Sequence, residues 1–493
     1  MPVLKVRHCI VIWAVLGVGL IVPLSGKIED PDLWWHITTG RLIVQSHTIP
    51  THDPFSYTAA GKEWIPHEWL SEIAFYGVYH RFGLAGIVWL RSLLVFLFTW
   101  SLYALVKRRI GDPVISAVVA VVLSLATWCF WTERPQLFSY VLLVTLLRLI
   151  DRWKQGGPLW PVIPLFALWI NLHGMWIVGF GTLTVLLAEE FVRSFKAGRR
   201  RRALHIVAVY AGAIAVLFVN PIGSKLVVYP LQYLGATHHT RYIEEWQRLN
   251  LRDLATSTHL IALIMVFILA VCGRFRGTLA EWLLAAGSAA ASLYSIRHIP
   301  IFAILAAPVI SEQIKAIRDR SAESEQEMRE FAPLNWALLA ALAALFVTHI
   351  PRKANQEDYI KKRSFPIKAA DFLRSRPVIE RGRLMNTYNW GGYLIFRLHP
   401  SYRVSIDGRA DLYGARAMDA EDRLEKLKGN WRADLRSLNP DVILWPRKKL
   451  LTKKLRVMPE YRLLYEDNMS VIFGRKIPGQ LVPMVREVSS LTK

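Results

Sequence analysis

Glu29–Ile43 reads EDPDLWWHITTGRLI, directly after an apolar run over residues 8–25. Between Glu29 and His36 it crowds together three carboxylates, two adjacent indoles and an imidazole. A helix needs about 20 apolar residues to cross a bilayer, and the 8–25 run is near that length. The surroundings of the cluster therefore decide whether it lies just outside a membrane or inside a soluble fold.

Long apolar runs recur through the first 350 residues, and 53% of the 493 residues are hydrophobic. A soluble domain would break such runs with polar faces. The sequence predicts a polytopic α-helical membrane protein of about 11 spans. They fall near 8–25, 84–106, 113–131, 137–150, 158–172, 174–192, 203–219, 257–273, 277–294, 299–316 and 334–350. A cleaved signal peptide is the alternative reading of the first run.

The formal net charge is +23, which raises nucleic acid as a partner. Its placement argues otherwise. Basic residues gather in short loops at Lys107–Arg109, Arg152 and Lys154, Arg193–Arg202, and Arg274 and Arg276. That is the positive-inside pattern, with membrane lipid as the partner and no nucleic acid. It puts the N-terminus in the cytoplasm, two long loops outside (26–83 and 221–257), and a cytoplasmic connector at 317–333. An odd number of spans leaves the C-terminal region outside. The three cysteines, Cys9, Cys129 and Cys272, form neither a disulfide framework nor a CxxC metal signature.

Composition divides the chain into a transmembrane domain, 1–350, and a soluble α/β domain, 351–493. In the latter, FPIKAADFLRSR has helical spacing. RLMNTYNWGGYLIF, YRVSIDG, DVILWP and MSVIFG contain strand-like runs, and Gly391-Gly392 and Asp407-Gly408 mark turns.

In the opening cluster, Asp30 is placed to cap a helix with Pro31 at its first position, and Asp32 would lie in the first turn. The helix would rest in the membrane interface with Trp34 and Trp35 at headgroup depth. Aromatic belts and capping acids are routine, but an acid beside an apolar slab is costly unless paired or used. His36 follows, then Asp53 in HDPFSY, and His67 and Glu68 in PHEWLSE. Ser71 stands where HExxH needs its second histidine, so a zinc protease is excluded. Later outer turns contribute Glu133 and Arg134, Asn171 and His173, Asn220, Arg241 with Glu244 and Glu245, and Arg297 and His298. Any one of these basic residues can simply snorkel to headgroups. Together they predict a mixed-charge pocket on an apolar floor, in which arginines hold phosphate oxygens.

DPDLWWHITTGRLIVQSHTIPTHDPFSYTAAGKEWIPHEWLSE, ERPQLFS, NLHGMWIVG and RHIPIF resemble bacterial multi-span glycosyltransferases of the GT-C class. NTYNWGGYLIFRLHPSYRVSIDGRADLYG resembles the extracytoplasmic domain many of them carry. The resemblance implies a hexosyl- or pentosyltransferase in the bacterial cytoplasmic (inner) membrane. It implies a polyprenyl-phosphate sugar donor and a glycan, lipid or protein acceptor. It also implies a catalytic acid in the first external loop, carried here by Asp32 as base with Asp30 as helper or cap. Better-known members begin this loop with Asp-Glu where this chain has Asp-Pro-Asp. The class contains metal-dependent and metal-free members, so Asp30 and Asp32 are also the ligands if Mg or Mn is used. Substrate contacts would be His36, Asp53, His67, Glu68, Arg134, His173, Arg241, Arg297 and His298. Tyr388, Trp390, Asp407, Arg409, Asp411 and Tyr413 are either sugar contacts or core packing. Two rival readings are a lipid or sugar transporter, suggested by Arg91 within a span, and a catalytically silent assembly subunit.

Overall fold

The computed structural model describes residues 26–233, 272–321, 356–361, 364–376 and 382–476, with isolated positions at 17, 266, 268 and 269. The expected spans at 8–25 and 334–350, most of the 257–273 span and of the 317–333 connector, and Arg241, Glu244 and Glu245 lie outside the described residues. The chain forms two compact units, Met1–Gly26 with Phe82–Arg352, and Lys27–Arg81 with Lys353–Lys493. Composition alone divides the chain at 350. Packing divides it differently, because the first long loop shares a core with the C-terminal segment.

The first unit is helical. It holds the Trp69–Ile110 helix beyond its break at Gly83 (φ 61°), then Pro113–Leu125, Gln136–Lys154, Val162–Leu172, Trp176–Lys196, Arg200–Val216, Ser224–Tyr233, Leu279–Tyr294 and Ile299–Ser321. Local chemistry sets several starts. Asp112 accepts from the N–H groups of Val114 and Ile115, both at 2.8 Å, with Pro113 at the first helical position. Thr278 and Glu281 form a capping box.

Among the described residues, two helices are long and apolar enough to cross a membrane, Trp69–Ile110 and Ile296–Arg320. This corrects the expected series of about 11. The 113–131 run stops being helix at Leu125, and its 13 residues cover only about 20 Å at the α-helical rise. Val162–Leu172 has 11 residues. Gln136–Lys154 and Trp176–Lys196 are longer, but charged residues occupy their last turns. The exposed large hydrophobics nevertheless concentrate in this unit, with Leu93, Val118, Leu204, Val207 and Phe218 among them. An apolar exterior of that kind suits a hydrocarbon solvent.

Among the described residues, the buried charges of this unit are paired. Arg91 pairs with Glu133 and donates to the Gly26 carbonyl at 2.7 Å. Arg109 holds Asp151 with two bonds (2.6 and 2.5 Å) and reaches Glu281 at 2.7 Å. Glu190 takes Arg202 at 3.3 Å and Lys154 at 3.9 Å.

The second unit is built on a five-stranded sheet, β1 Gly382–Met385, β2 Tyr402–Val404, β3 Val442–Pro446, β4 Tyr461–Glu466 and β5 Ser470–Arg475, in the order β2-β1-β3-β5-β4. β2, β1 and β3 run parallel. β3, β5 and β4 run antiparallel, with Ile443 opposite Phe473. The central VILWP strand is almost wholly buried, as a strand covered on both faces must be. Trp431, Leu435, Trp445, Leu451 and Phe473 form one core cluster. The expected helix in FPIKAADFLRSR is Ile367–Ser375. Of RLMNTYNWGGYLIF only the first part is strand. Tyr388–Leu398 is a helix, and Gly391-Gly392, expected as a turn, lie inside it. A Cβ on Gly391 would meet the Ile406 carbonyl oxygen at 2.0 Å, and one on Gly392 the Pro31 oxygen at 2.3 Å. These glycines serve close backbone approach, not a turn.

The first loop is woven into this unit. Ile28 bridges Ile360, and Ser56 bridges Val404 beside β2. Residues 51–64 fold back on themselves, with Asp53 N donating to Lys62 O at 3.0 Å, Trp64 N to Thr51 O at 2.9 Å, and Gly61 (φ 75°) near the tip. Trp34 is fully buried against Phe365, Tyr393 and Phe396, at ring distances of 5.1–5.4 Å. Trp35 is 6% exposed. The expected interfacial helix with indoles at headgroup depth is therefore corrected. The indoles belong to a protein core, because aromatic partners return from the C-terminal segment to cover them.

Glu421 accepts from the N–H of Tyr388 at 2.6 Å. Burial, with Glu425 and Asp422 adding repulsion, pushes its carboxyl up to about 7. A carboxyl raised in the folded state favours folding most at pH values below its ordinary range, and the contribution is lost as pH rises through 7. Glu421→Gln keeps an acceptor and removes the charge. Glu421 is half-buried, so the expected gain in stability is about 1–2 kcal/mol at pH 8, falling to almost nothing at pH 4. Unfolding of the full chain followed by tryptophan fluorescence checks this. An equal gain at both pH values would refute it.

Candidate active site

The opening cluster folds from local chemistry. Asp30 is 4% exposed, and its Oδ1 accepts from the Asp32 N–H at 2.9 Å, a turn that aspartate favours. The helix that follows is Leu33–Ser46, with Asp32 at its N-cap position. The helix thus starts two residues later than expected from Asp30-Pro31. The Asp32 side chain makes no cap bond. It is half-buried, and its Oδ1 accepts from Trp35 Nε1 at 3.2 Å. An ideal Cβ on Gly408 would lie 1.7 Å from that Oδ1 and 3.2 Å from Trp35 Nε1. Gly408 therefore leaves the space in which the Asp32 carboxylate rests. Tyr388 donates to the Gly408 carbonyl at 2.9 Å and steadies that backbone.

Behind Trp35 lies His36, 2% exposed, with the two ring centroids 3.6 Å apart. Its Nδ1 is 3.3 Å from Glu72 and its Nε2 3.5 Å from Glu68. Glu68 also lies 3.7 Å from His67. The contact exists because Gly40 lets two backbones touch. A Cβ there would sit 2.0 Å from the Glu72 carbonyl oxygen. Glu72 is not among the candidates the sequence offers. Its spacing of four from Glu68, which puts both carboxylates on one helical face, was the available signal for its role beside His36.

Asp53 has a partner of its own. Its oxygens accept from the N–H groups of Phe55 (3.1 Å) and Ser56 (3.0 Å), and it pairs with Arg409 at 2.9 Å. Arg409 also binds Asp407 through Nε (2.8 Å) and Nη2 (2.7 Å), and lies over the rings of Phe55 and Trp64. Tyr413 donates to Asp407. Burial, with Asp407 close by, pushes the Tyr413 hydroxyl well above its ordinary range. Asp407 and Arg409 are 0% and 2% exposed. Of the two sequence readings for Asp407, Arg409 and Tyr413, core packing describes what the structure holds.

In the helical unit, His173 is 6% exposed, and its Nδ1 faces Ser139 Oγ at 2.8 Å and accepts from Met175 N at 3.3 Å. Trp169 donates to the same Ser139 oxygen at 2.8 Å. Arg134, Arg297 and His298 are half-buried, the last two in the Ile296–His298 turn. Asn220 is spent on local structure, accepting from the N–H groups of Ile222 and Gly223.

The donor set fits a divalent cation poorly. One Asp30 oxygen is committed to the Asp32 N–H, and among the described residues no three His, Cys, Asp or Glu side chains gather to hold a metal. Metal sites for Mg-type ions are built from several oxygen ligands, so no step below passes through one.

The Asp32 carboxylate is half-buried and free of capping duty, and it can take a proton from a hydroxyl brought to it. Among solved structures, the chain is similar in fold to the apo oligosaccharyltransferase of Archaeoglobus fulgidus. The TM-score is 0.54 and the identity 12%, over 96% of this chain and 74% of that one. No family model and no curated protein matches the sequence.

Displacing the Asp32 carboxylate should be possible without touching it. In Gly408→Ala the new methyl group claims its position, so any reaction that uses Asp32 as base is expected to slow about tenfold or more, as a misplacement of about 1 Å can cost. The thermal transition should move little. An unchanged rate in the folded variant would show that the seat is not needed.

Proposed function

We propose that this chain is an inverting glycosyltransferase acting on the outer face of a bacterial cytoplasmic membrane. It moves a sugar from a polyprenyl-phosphate carrier to a hydroxyl of a glycan, lipid or protein acceptor. The observation that carries this reading is the Asp32 carboxylate, half-buried over Gly408 and not used as a helix cap. The fold supports the class of reaction.

Asp32 takes the acceptor hydroxyl proton as the oxygen attacks the anomeric carbon. The carbon–oxygen bond to phosphate breaks, its electron pair leaves with the phosphate, and a single displacement inverts the centre. The leaving phosphate already carries negative charge, so a cation serves it better than a general acid. Trp35, by its hydrogen bond, fixes the direction of the Asp32 carboxylate, and His36 between Glu68 and Glu72 holds the helix behind it. The transporter reading rested on Arg91 as a charge within a span, and Arg91 is paired with Glu133.

The test is direct. The purified full chain in liposomes receives a pool of polyprenyl-phosphate sugars and hydroxyl acceptors, and product and anomeric configuration are read by mass spectrometry and NMR. Movement of the lipid-linked sugar across the bilayer without transfer would favour the transporter, and product with retained configuration would overturn the single displacement.

A further inference from the structure

A cavity of about 700 Å³ opens in the helical unit between the last turns of the Trp69–Ile110 and Gln136–Lys154 helices. Four cations line it, Lys107, Arg108, Arg148 and Arg152, and no carboxylate does. The acids at this end of the helices are engaged elsewhere: Asp151 and Glu281 with Arg109, Glu190 with Lys154, Arg193 and Arg202. Arg108 donates to the neutral Gln155 side chain at 2.8 Å, and the Lys107 ammonium lies 5.7 Å from the centre of the Tyr103 ring.

Arg148 is the telling residue. It is half-buried on the inner face of its helix, and its hydrogen bond is to the Ser101 hydroxyl at 3.3 Å. Arg108 and Arg152 stand close enough to repel it. An arginine partly withdrawn from water among like charges is costly unless an anion shares the site. Arg91 and Arg109 in the same unit each have that anion in a carboxylate.

What leads into the cavity narrows the choice of anion. On the Trp69–Ile110 helix, Leu93, Leu97 and Trp100 are 48%, 37% and 39% exposed, and Ala104, Lys107 and Arg108 continue the same face. Spacings of four, three and four residues make one stripe along a helix. It runs from exposed hydrocarbon into a basic recess. A small diffusible anion has no use for the apolar stripe, whereas a lipid needs both parts.

We propose that this cavity binds the headgroup phosphate of an anionic glycerophospholipid, with an acyl chain along Leu93, Leu97 and Trp100. The proposal rests on the reading of this unit as embedded in a bilayer, but not on any sugar transfer. The full chain is purified, delipidated and offered phosphatidylglycerol or phosphatidylcholine in detergent. Retained lipid is read by native mass spectrometry, and the thermal transition is followed in parallel. Wild type is expected to retain phosphatidylglycerol at least tenfold over phosphatidylcholine and to gain thermal stability from it. Arg148→Gln should lose about ten- to hundredfold of that preference, with Arg148→Lys intermediate. Should Arg148→Gln fail to fold, the exposed Arg152→Gln serves, with a smaller loss. Equal retention of the two lipids by wild type overturns the site. So does wild-type preference in the folded variants, displacement by inorganic phosphate, or displacement by polyprenyl phosphate. A chain that stays monodisperse without detergent and does not enter bilayers would instead sink the membrane reading, a different and separately visible outcome.

Discussion

Asp32→Asn is expected to lower sugar transfer by about 10²–10⁴, the usual contribution of a positioned acid–base group, while the fold is retained. The argument is local. Asparagine has the size of aspartate, keeps an oxygen to accept from Trp35 Nε1, and is equally suited to the N-cap position Asp32 occupies. What it loses is the charge and the ability to take a proton. Asp30→Asn should be milder, because its Oδ1 accepts a backbone N–H that an amide oxygen accepts as well. The measurement is initial rate in liposomes with saturating donor, beside a thermal transition for each variant. If Asp30→Asn is dead and Asp32→Asn turns over normally, the roles are reversed. If both are fully active, the cluster is structural and the enzyme reading loses its main support.

How much of this was visible in the chain depends on the range of the interactions. DVILWP and MSVIFG read as strand-like because residues in sequence order determine a strand's character, and they hold the β-strands Val442–Pro446 and Ser470–Arg475. The cap at Asp112 and the break at Gly83 are equally local. The indole pair Trp34-Trp35 was misread because an aromatic pair beside an apolar run looks the same in a membrane interface as in a core. Its partners Phe365, Tyr393 and Phe396 are more than three hundred positions away, and nothing near Trp34 announces them. The same distance hid the union of the first loop with the C-terminal segment. Its clasps join Glu29 to Lys361, 332 positions apart, and Thr58 to Ser405, 347 apart. The candidate base was legible as one of two acids. Its seat on Gly408 was not, because Asp407-Gly408 reads as a turn whether or not a side chain lies against it.

The largest effect on folding is expected at Arg409, which joins the two parts of the second unit. Its guanidinium meets Asp407 and Asp53 with almost no solvent and lies over the rings of Phe55 and Trp64. Arg409→Met fits a similar volume but leaves two carboxylates buried without their cation, a loss of about 3–5 kcal/mol when a buried pair is broken from one side. Cation–π contact with the indole, worth about 0.5–2 kcal/mol, goes with it. The origin of the loss can be separated from bulk. Adding Asp53→Asn to Arg409→Met removes one orphaned charge while an amide oxygen still accepts the Phe55 N–H, so the double variant should be more stable than Arg409→Met alone. Protease resistance of the second unit and tryptophan fluorescence during unfolding report both. A single variant as stable as wild type, or a double variant worse than the single, would show that the ion cluster does not hold the loop. Function enters through the backbone: Gly408, on which the Asp32 carboxylate rests, lies between Asp407 and Arg409. Arg409→Lys keeps a cation but not the paired fork to Asp407, so it should fold better than Arg409→Met and still transfer sugar more slowly than wild type.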